Sequence, residues 1–107
     1  MPDPLTFCNS FGIHKNKTYV GYQLIDIEAT HKAVVRYYEY NYHIVLTYKI
    51  VSPEISPKEF FENHIFDDKN VSTRYGSNYL CHLEKYSYRI EDNHIIVILS
   101  GYSIRKD

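Results

Sequence analysis

Tyr37-Tyr38-Glu39-Tyr40-Asn41-Tyr42-His43-Ile44-Val45-Leu46-Thr47-Tyr48 is the stretch that decides how this chain is read. Tyrosine and the β-branched residues beside it pack well on a pleated, half-buried surface, so the stretch reads as strand. Ile44, Leu46, Tyr48 and Ile50 fall on one face, and His43, Thr47 and Lys49, with Val45 among them, on the other. A period of two with one apolar side marks a half-exposed antiparallel strand. Asn41 tolerates the left-handed conformation that tight turns need, so residues 32–40 and 42–51 are expected to form a hairpin around it.

Upstream, residues 18–27 read as another strand, with Gly21 marking a bulge or a close backbone approach. Glu28-Ala29-Thr30-His31 reads as a turn, and residues 5–13 as a short extended segment ended by Gly12. Downstream, Ser56-Pro57-Lys58-Glu59 is a capping box with Pro at the first helical position. Ile55 and Phe60 form its hydrophobic staple, and the helix is expected to run to about Phe66 with Phe60, Phe61 and Ile65 as its buried stripe. Residues 70–78 are loop-like. Residues 79–90 and 94–104 form a last hairpin with Asp92-Asn93 as its turn. Ile95, Val97 and Leu99 alternate there with Ile96 and Ile98, so both faces are apolar and the strand is central. The order β-β-β-α-β-β predicts one α+β domain over residues 1–107. It is an antiparallel sheet of about five strands with one helix packed on one face. No internal repeat is visible.

Composition narrows the function classes. The chain has 107 residues, 44% of them hydrophobic and 23% charged, as in an ordinary globular domain. Its formal net charge of −1 supplies no global basic field for nucleic acid. Met1-Pro2-Asp3-Pro4 lacks the basic and apolar regions of a signal peptide, and the longest apolar run is Ile95-Ile96-Val97-Ile98-Leu99. An intracellular, cytoplasmic protein without a membrane partner is expected. Cys8 and Cys81 are too few for a disulfide framework and read as small buried hydrophobes. Ile, Tyr and Asn are abundant and Ala scarce, a bias of AT-rich genomes. It raises the expectation of a virus- or mobile-element-encoded protein acting on a host protein in the host cytoplasm.

Catalytic signatures are missing from the sequence. The six histidines show no His-x-His or His-x-x-x-His pair, and adjacent Cys81 and His82 point to opposite faces of a strand, so neither a metal nor a cofactor is expected. There is no Gly-rich phosphate loop and no Gly-x-Ser-x-Gly elbow. Three short segments, Val45-Leu46-Thr47-Tyr48, Asn93-His94-Ile95-Ile96 and Tyr102-Ser103-Ile104-Arg105-Lys106, resemble motifs of rolling-circle replication initiators of the HUH endonuclease type. Ile96 stands where that family has its second metal-binding histidine, so the resemblance implies a shared sheet topology or a degenerate nuclease.

The tyrosines remain the main functional signal. The chain has 12 and no Trp. Tyr is enriched at protein interfaces, and a single short helix cannot cover five strands. The expectation is a non-enzymatic protein-binding factor, homodimeric, with Tyr37, Tyr38, Tyr40, Tyr42, Tyr86 and Tyr88 on its partner face. The alternative is a single-stranded nucleic-acid binder or degenerate initiator using Arg36, His43, Lys49, His94 and Tyr102. The helix cap gives the first prediction: Ser56→Ala should cost about 0.5–2 kcal/mol in a chemical denaturation experiment, and an unchanged midpoint would remove the cap.

Overall fold

The computed structural model describes residues 3–34, 39–65, 72–75 and 79–105. The chain runs α1 (Pro4–Ser10), β1 (Thr18–Tyr19), β2 (Tyr22–Val34), β3 (Glu39–Ile50) and α2 (Pro57–Phe60), which continues as a π-helical turn (Phe61–Ile65). It then runs β4 (Ser72–Tyr75), β5 (Tyr79–Glu91) and β6 (His94–Arg105). All strands pair antiparallel in the order β1-β2-β3-β6-β5-β4. The two-residue β1 is little more than a bridge, so five strands carry the sheet, which curls into a half-barrel.

The centre is the β3–β6 pair, and its alternation builds the core. Tyr42, Ile44, Leu46 and Tyr48 point inward opposite Gly101, Leu99, Val97 and Ile95, and all of these apolar side chains are buried. Val45, Thr47, Ile96 and Ile98 occupy the outer face and are half-buried. The flanking strands β2 and β5 are long, and each slips register once, between Leu24 and Asp26 and between Leu83 and Lys85. One extra residue in a strand bends it and increases its twist, which is how two bulges on either side of a straight centre curl the sheet.

The turns obey local chemistry. Asp92 and Asn93 both adopt positive φ (47° and 61°), the backbone of a two-residue hairpin turn that matches strand twist. Asn93 also ties this turn to the end of β3, its Nδ2 donating to the Ile50 carbonyl at 3.1 Å. Val20 and Gly21 make the β1–β2 turn, again with positive φ (44° and 90°). The close backbone approach expected at Gly21 is present: its carbonyl accepts from Val51 and Ser52, and an added Cβ would collide with the Ser52 carbonyl. Gly21 therefore ends one strand and opens the next instead of bulging within one.

Among the described residues two helices, not one, pack on the inner face. The segment expected to be extended at residues 5–13 contains α1. Asp3 caps it, its carboxylate accepting the Thr6 N–H at 2.7 Å, with Pro4 at the first position. Ser56 caps α2 in the same way, its hydroxyl oxygen accepting the Glu59 N–H at 3.2 Å, with Pro57 following. Each cap sets a phenylalanine at the fourth helical position. Phe7 stacks on Tyr42 (centroids 4.3 Å apart, 21° between planes), and Phe60 stacks on Tyr22 (4.3 Å, 20°) and meets Tyr48 edge-on at 5.0 Å. The chain thus repeats the order helix, short strand, long strand, long strand, and its halves meet at β3–β6.

Three further expectations change. Ser72–Tyr75, inside the stretch expected to be loop-like, form β4 and pair with β5. Glu28 to His31 lie inside β2, paired with Val45 to Tyr42, so no turn interrupts that strand. Asn41 is not a turn: it pairs with Lys32 on one side and Tyr102 on the other. The inward phase of Tyr42, Ile44, Leu46 and Tyr48 runs back through it to half-buried Tyr40, and the link from Val34 to Glu39 falls on residues outside those described. The end of the helix expected at Phe66 also lies outside them, and the helix beyond Phe60 is of π type through Ile65.

Gly101 tests this packing. It faces inward beneath α1, where an added Cβ would meet the His82 carbonyl and come within 2.9 Å of Phe7 Cζ. Gly101→Ala should destabilise by about 1–3 kcal/mol through overpacking. An unchanged denaturation midpoint would show that Phe7 does not press on this strand.

Candidate interaction surface

The tyrosines separate by strand phase into core and surface. Tyr42 is 2% exposed, pinned by Phe7 and by a 2.9 Å hydrogen bond between its hydroxyl and that of Ser103. Its burial pushes its pKa up to about 12. Tyr48 is buried and shifted upward by the same cause. Tyr22 donates to the Ile55 carbonyl at 2.6 Å, and Tyr19 donates to the Gly12 carbonyl at 2.7 Å. Tyr40 is half-buried beside His31, their centroids 6.4 Å apart. Tyr37, Tyr38 and Arg36 lie outside the described residues. Of the six tyrosines expected on the partner face, the structure brings two together, Tyr86 and Tyr88 on β5. Their rings lie 5.7 Å and 4.5 Å from Phe61.

β5 is where the fold leaves a surface unfinished. Tyr86, Tyr88 and Ile90 point inward opposite Leu99, Val97 and Ile95. Ile95 is fully buried, yet Ile90 beside it is 57% exposed and Tyr86 is 42% exposed. The only other exposed large apolar residues among those described are Leu5 and Val51, so half of that set sits on this strand. β4 pairs with β5 only across residues 79–82. Among the described residues no strand runs along the outer edge of residues 83–91. Every second N–H and C=O there points away from β6. Lys85, Arg89 and Glu91 lie along this segment on the outer face, where Arg89 Nε donates to Glu91 Oε2 at 3.0 Å.

β2, at the other side of the sheet, differs. β1 pairs with it only at Tyr22 and Gln23, but none of its described large apolar side chains is exposed, and α1 lies beside it.

The outer face holds the residues of the nucleic-acid alternative, in two groups. His43 pairs with Ser100, one step from Tyr102, whose ring lies 5.2 Å from that of His82. Lys49 pairs with His94 at the opposite end. His94 and Tyr102 are eight positions apart on one strand, roughly 26 Å at strand rise, so one phosphodiester cannot touch both. A shallow hollow of about 320 Å³ beside His94 is lined by Thr47, Arg89, Glu91, Asp92 and Ile96. The His94 Nδ1 is 2.6 Å from the Asp92 carbonyl oxygen.

Nucleophilic chemistry finds no support in the thiols. Cys8 and Cys81 are both buried, and desolvation raises both, Cys8 to about 12. Among the described residues no group of three His, Cys, Asp or Glu could hold a metal ion, and no helix is long and apolar enough to cross a membrane.

No protein-family model, curated protein or solved structure matches this chain. The sequence reading names Tyr86 and Tyr88 on this strand and does not name Ile90.

The buried tyrosines predict an alkaline transition. Their folded pKa values lie above the ordinary 10.0, so the neutral form contributes stability that is complete below pH 10 and lost as pH rises toward about 12. Circular dichroism should stay constant to about pH 10 and then fall together with late tyrosinate absorbance. Ionisation of every tyrosine near pH 10 with the fold intact would contradict the burial of Tyr42 and Tyr48.

Proposed function

We propose that this chain is a non-enzymatic protein-binding factor that takes an extended segment of a partner along the outer edge of β5. The observation that carries this reading is that Ile90 and Tyr86 are exposed on a strand that, among the described residues, β4 accompanies only across residues 79–82. An added strand supplies main-chain hydrogen bonds for affinity, while alternate side chains supply specificity. Tyr86 and Ile90, backed by Phe61 and Tyr88, offer the apolar centre, and Lys85, Arg89 and Glu91 a charged rim. The Ile-, Tyr- and Asn-rich composition adds to the proposal a viral or mobile-element origin and a host protein as the partner.

A second reading has its own support. Tyr102, His82 and His43 share one end of the outer face with Lys32 and Lys85, an aromatic and cationic group suited to stacking single-stranded bases. The net charge of −1 weighs against it.

Selection of extended peptides from a display library, followed by amide chemical-shift mapping, separates the two. Shifts should concentrate at residues 85–91, and Ile90→Lys should weaken binding at least about tenfold. Ligands that map instead to the end around Tyr102, or oligonucleotides that bind with steep salt dependence while no peptide does, would contradict the reading.

A further inference from the structure

We propose that the outer face of the sheet packs against the outer face of a second copy of this chain, about a two-fold axis that runs along β3 and β6. This surface is distinct from the β5 edge, and its use does not depend on strand addition there.

The outer side of the two central strands is apolar where a solvent-facing strand is ordinarily polar. Val45 pairs with Ile98 and Thr47 with Ile96, and these β-branched side chains form a strip. A strand that is apolar on both sides suits cover on both sides. The inner side has its cover in α1 and α2, whose Phe7 and Phe60 stack on inward tyrosines. The outer side reaches solvent around the strip. Glu28 on β2, His43 and Lys49 on β3, and Lys85 and Arg89 on β5 are all exposed. The hollow beside His94 opens onto Thr47 and Ile96 themselves.

Charge selects the occupant and its orientation. Across the sheet one row reads Asp26, Thr47, Ile96, Arg89 and the next reads Glu28, Val45, Ile98, Ser87. Lys85 follows on β5, opposite Ser100. Acid therefore lies on the β2 side of the strip and base on the β5 side. A two-fold axis along the strands lays β2 of one copy over β5 of the other. Asp26 and Glu28 then meet Arg89 and Lys85 of the second copy on both flanks, while Val45, Ile96 and Ile98 cover their counterparts between them. An axis across the strands would instead set acid over acid and base over base, which is repulsive. Aligned sheets cross at about 30°, which slides the flanks by about one residue and keeps this match. Each copy uses its outer face on itself, so assembly closes at two.

The sheet curls toward its helices, so the outer face is convex and contact is confined to the strip and the long side chains beside it. About seven residues along each of β2, β3, β6 and β5 bury on the order of 900 Å² in total, below the roughly 1,200 Å² of stable complexes. The dissociation constant should be on the order of tens of micromolar. Sedimentation equilibrium of the whole chain tests the proposal, with Glu28→Lys, Lys85→Glu, the double variant and Ile98→Lys alongside the wild type. The wild-type mass should rise from one copy toward two with concentration. Either charge reversal should weaken association roughly tenfold, and the double variant should recover it to within about threefold. Ile98→Lys should weaken it at least about tenfold. β2 and β5 are three strand spacings apart, roughly 14 Å, too far for Glu28 and Lys85 to pair within one copy, so recovery reports contact between copies. Both residues are exposed, and their variants should keep the wild-type circular dichroism spectrum. A wild type that stays monomeric at several hundred micromolar overturns the proposal. So does association that ignores the charge reversals, or that Ile90→Lys abolishes while Ile98→Lys leaves it intact. Peptide-induced shifts at residues 85–91 judge the edge reading separately, whichever result is found.

Discussion

Two phenylalanines close one side of this sheet, and the rest of the structure follows from how far they reach. A strand pair of the length of β3 and β6, with buried apolar residues at every second position, must be covered on that side. The covering elements are short: α1 has seven residues, and α2 has four before its π-helical turn. Neither could hold a helical conformation alone in water, so each depends on what it buries. An aromatic ring carries the most apolar area per residue, and stacking on a strand tyrosine fixes its position. Phe7 on Tyr42 and Phe60 on Tyr22 and Tyr48 satisfy both requirements. The tyrosine-rich composition is thus first a solution to packing.

That solution runs out along β5. Phe61 extends the cover to Tyr88 and the edge of Tyr86, and Ile90 lies largely in solvent. Natural sheets blunt their edges with charge, bulges or cover. β5 has a bulge at Glu84 and charges on its outer face, yet it keeps apolar side chains on the inner face of the same segment. A charged outer side and an apolar inner side protect against indiscriminate pairing while leaving a strand of matching pattern welcome. The binding proposal grows from that asymmetry.

Legibility in the sequence followed the strength of local chemistry. The capping box at Ser56-Pro57-Lys58-Glu59 and the turn at Asp92-Asn93 were readable because each needs only a few adjacent residues. The alternation of Ile44, Leu46 and Tyr48 with His43, Val45 and Thr47 gave the faces of β3 correctly. α1 was missed although Asp3-Pro4 carries the same cap-and-proline signal as Ser56-Pro57. Its Thr, Phe, Cys, Asn and Ser are poor helix formers, and only tertiary burial of Phe7 and Cys8 makes the segment helical. At Asn41 strand phase overrides turn propensity: the tyrosines on either side of it share the inward phase of Ile44. The site was half legible. Tyr86 and Tyr88 stood out by type, whereas an open edge is a property of which strands are neighbours, and only the three-dimensional arrangement supplies that.

The measurement closest to the central claim is native-state amide hydrogen exchange across β5 and β6 at two protein concentrations. With the edge open, amides along β6 are slow at both concentrations. Every second amide in residues 85–91 exchanges fast in dilute solution. Protection of all β5 amides already in dilute, monomeric protein would mean that the edge is occupied from within the chain, and the account of β5 as the binding strand would fail.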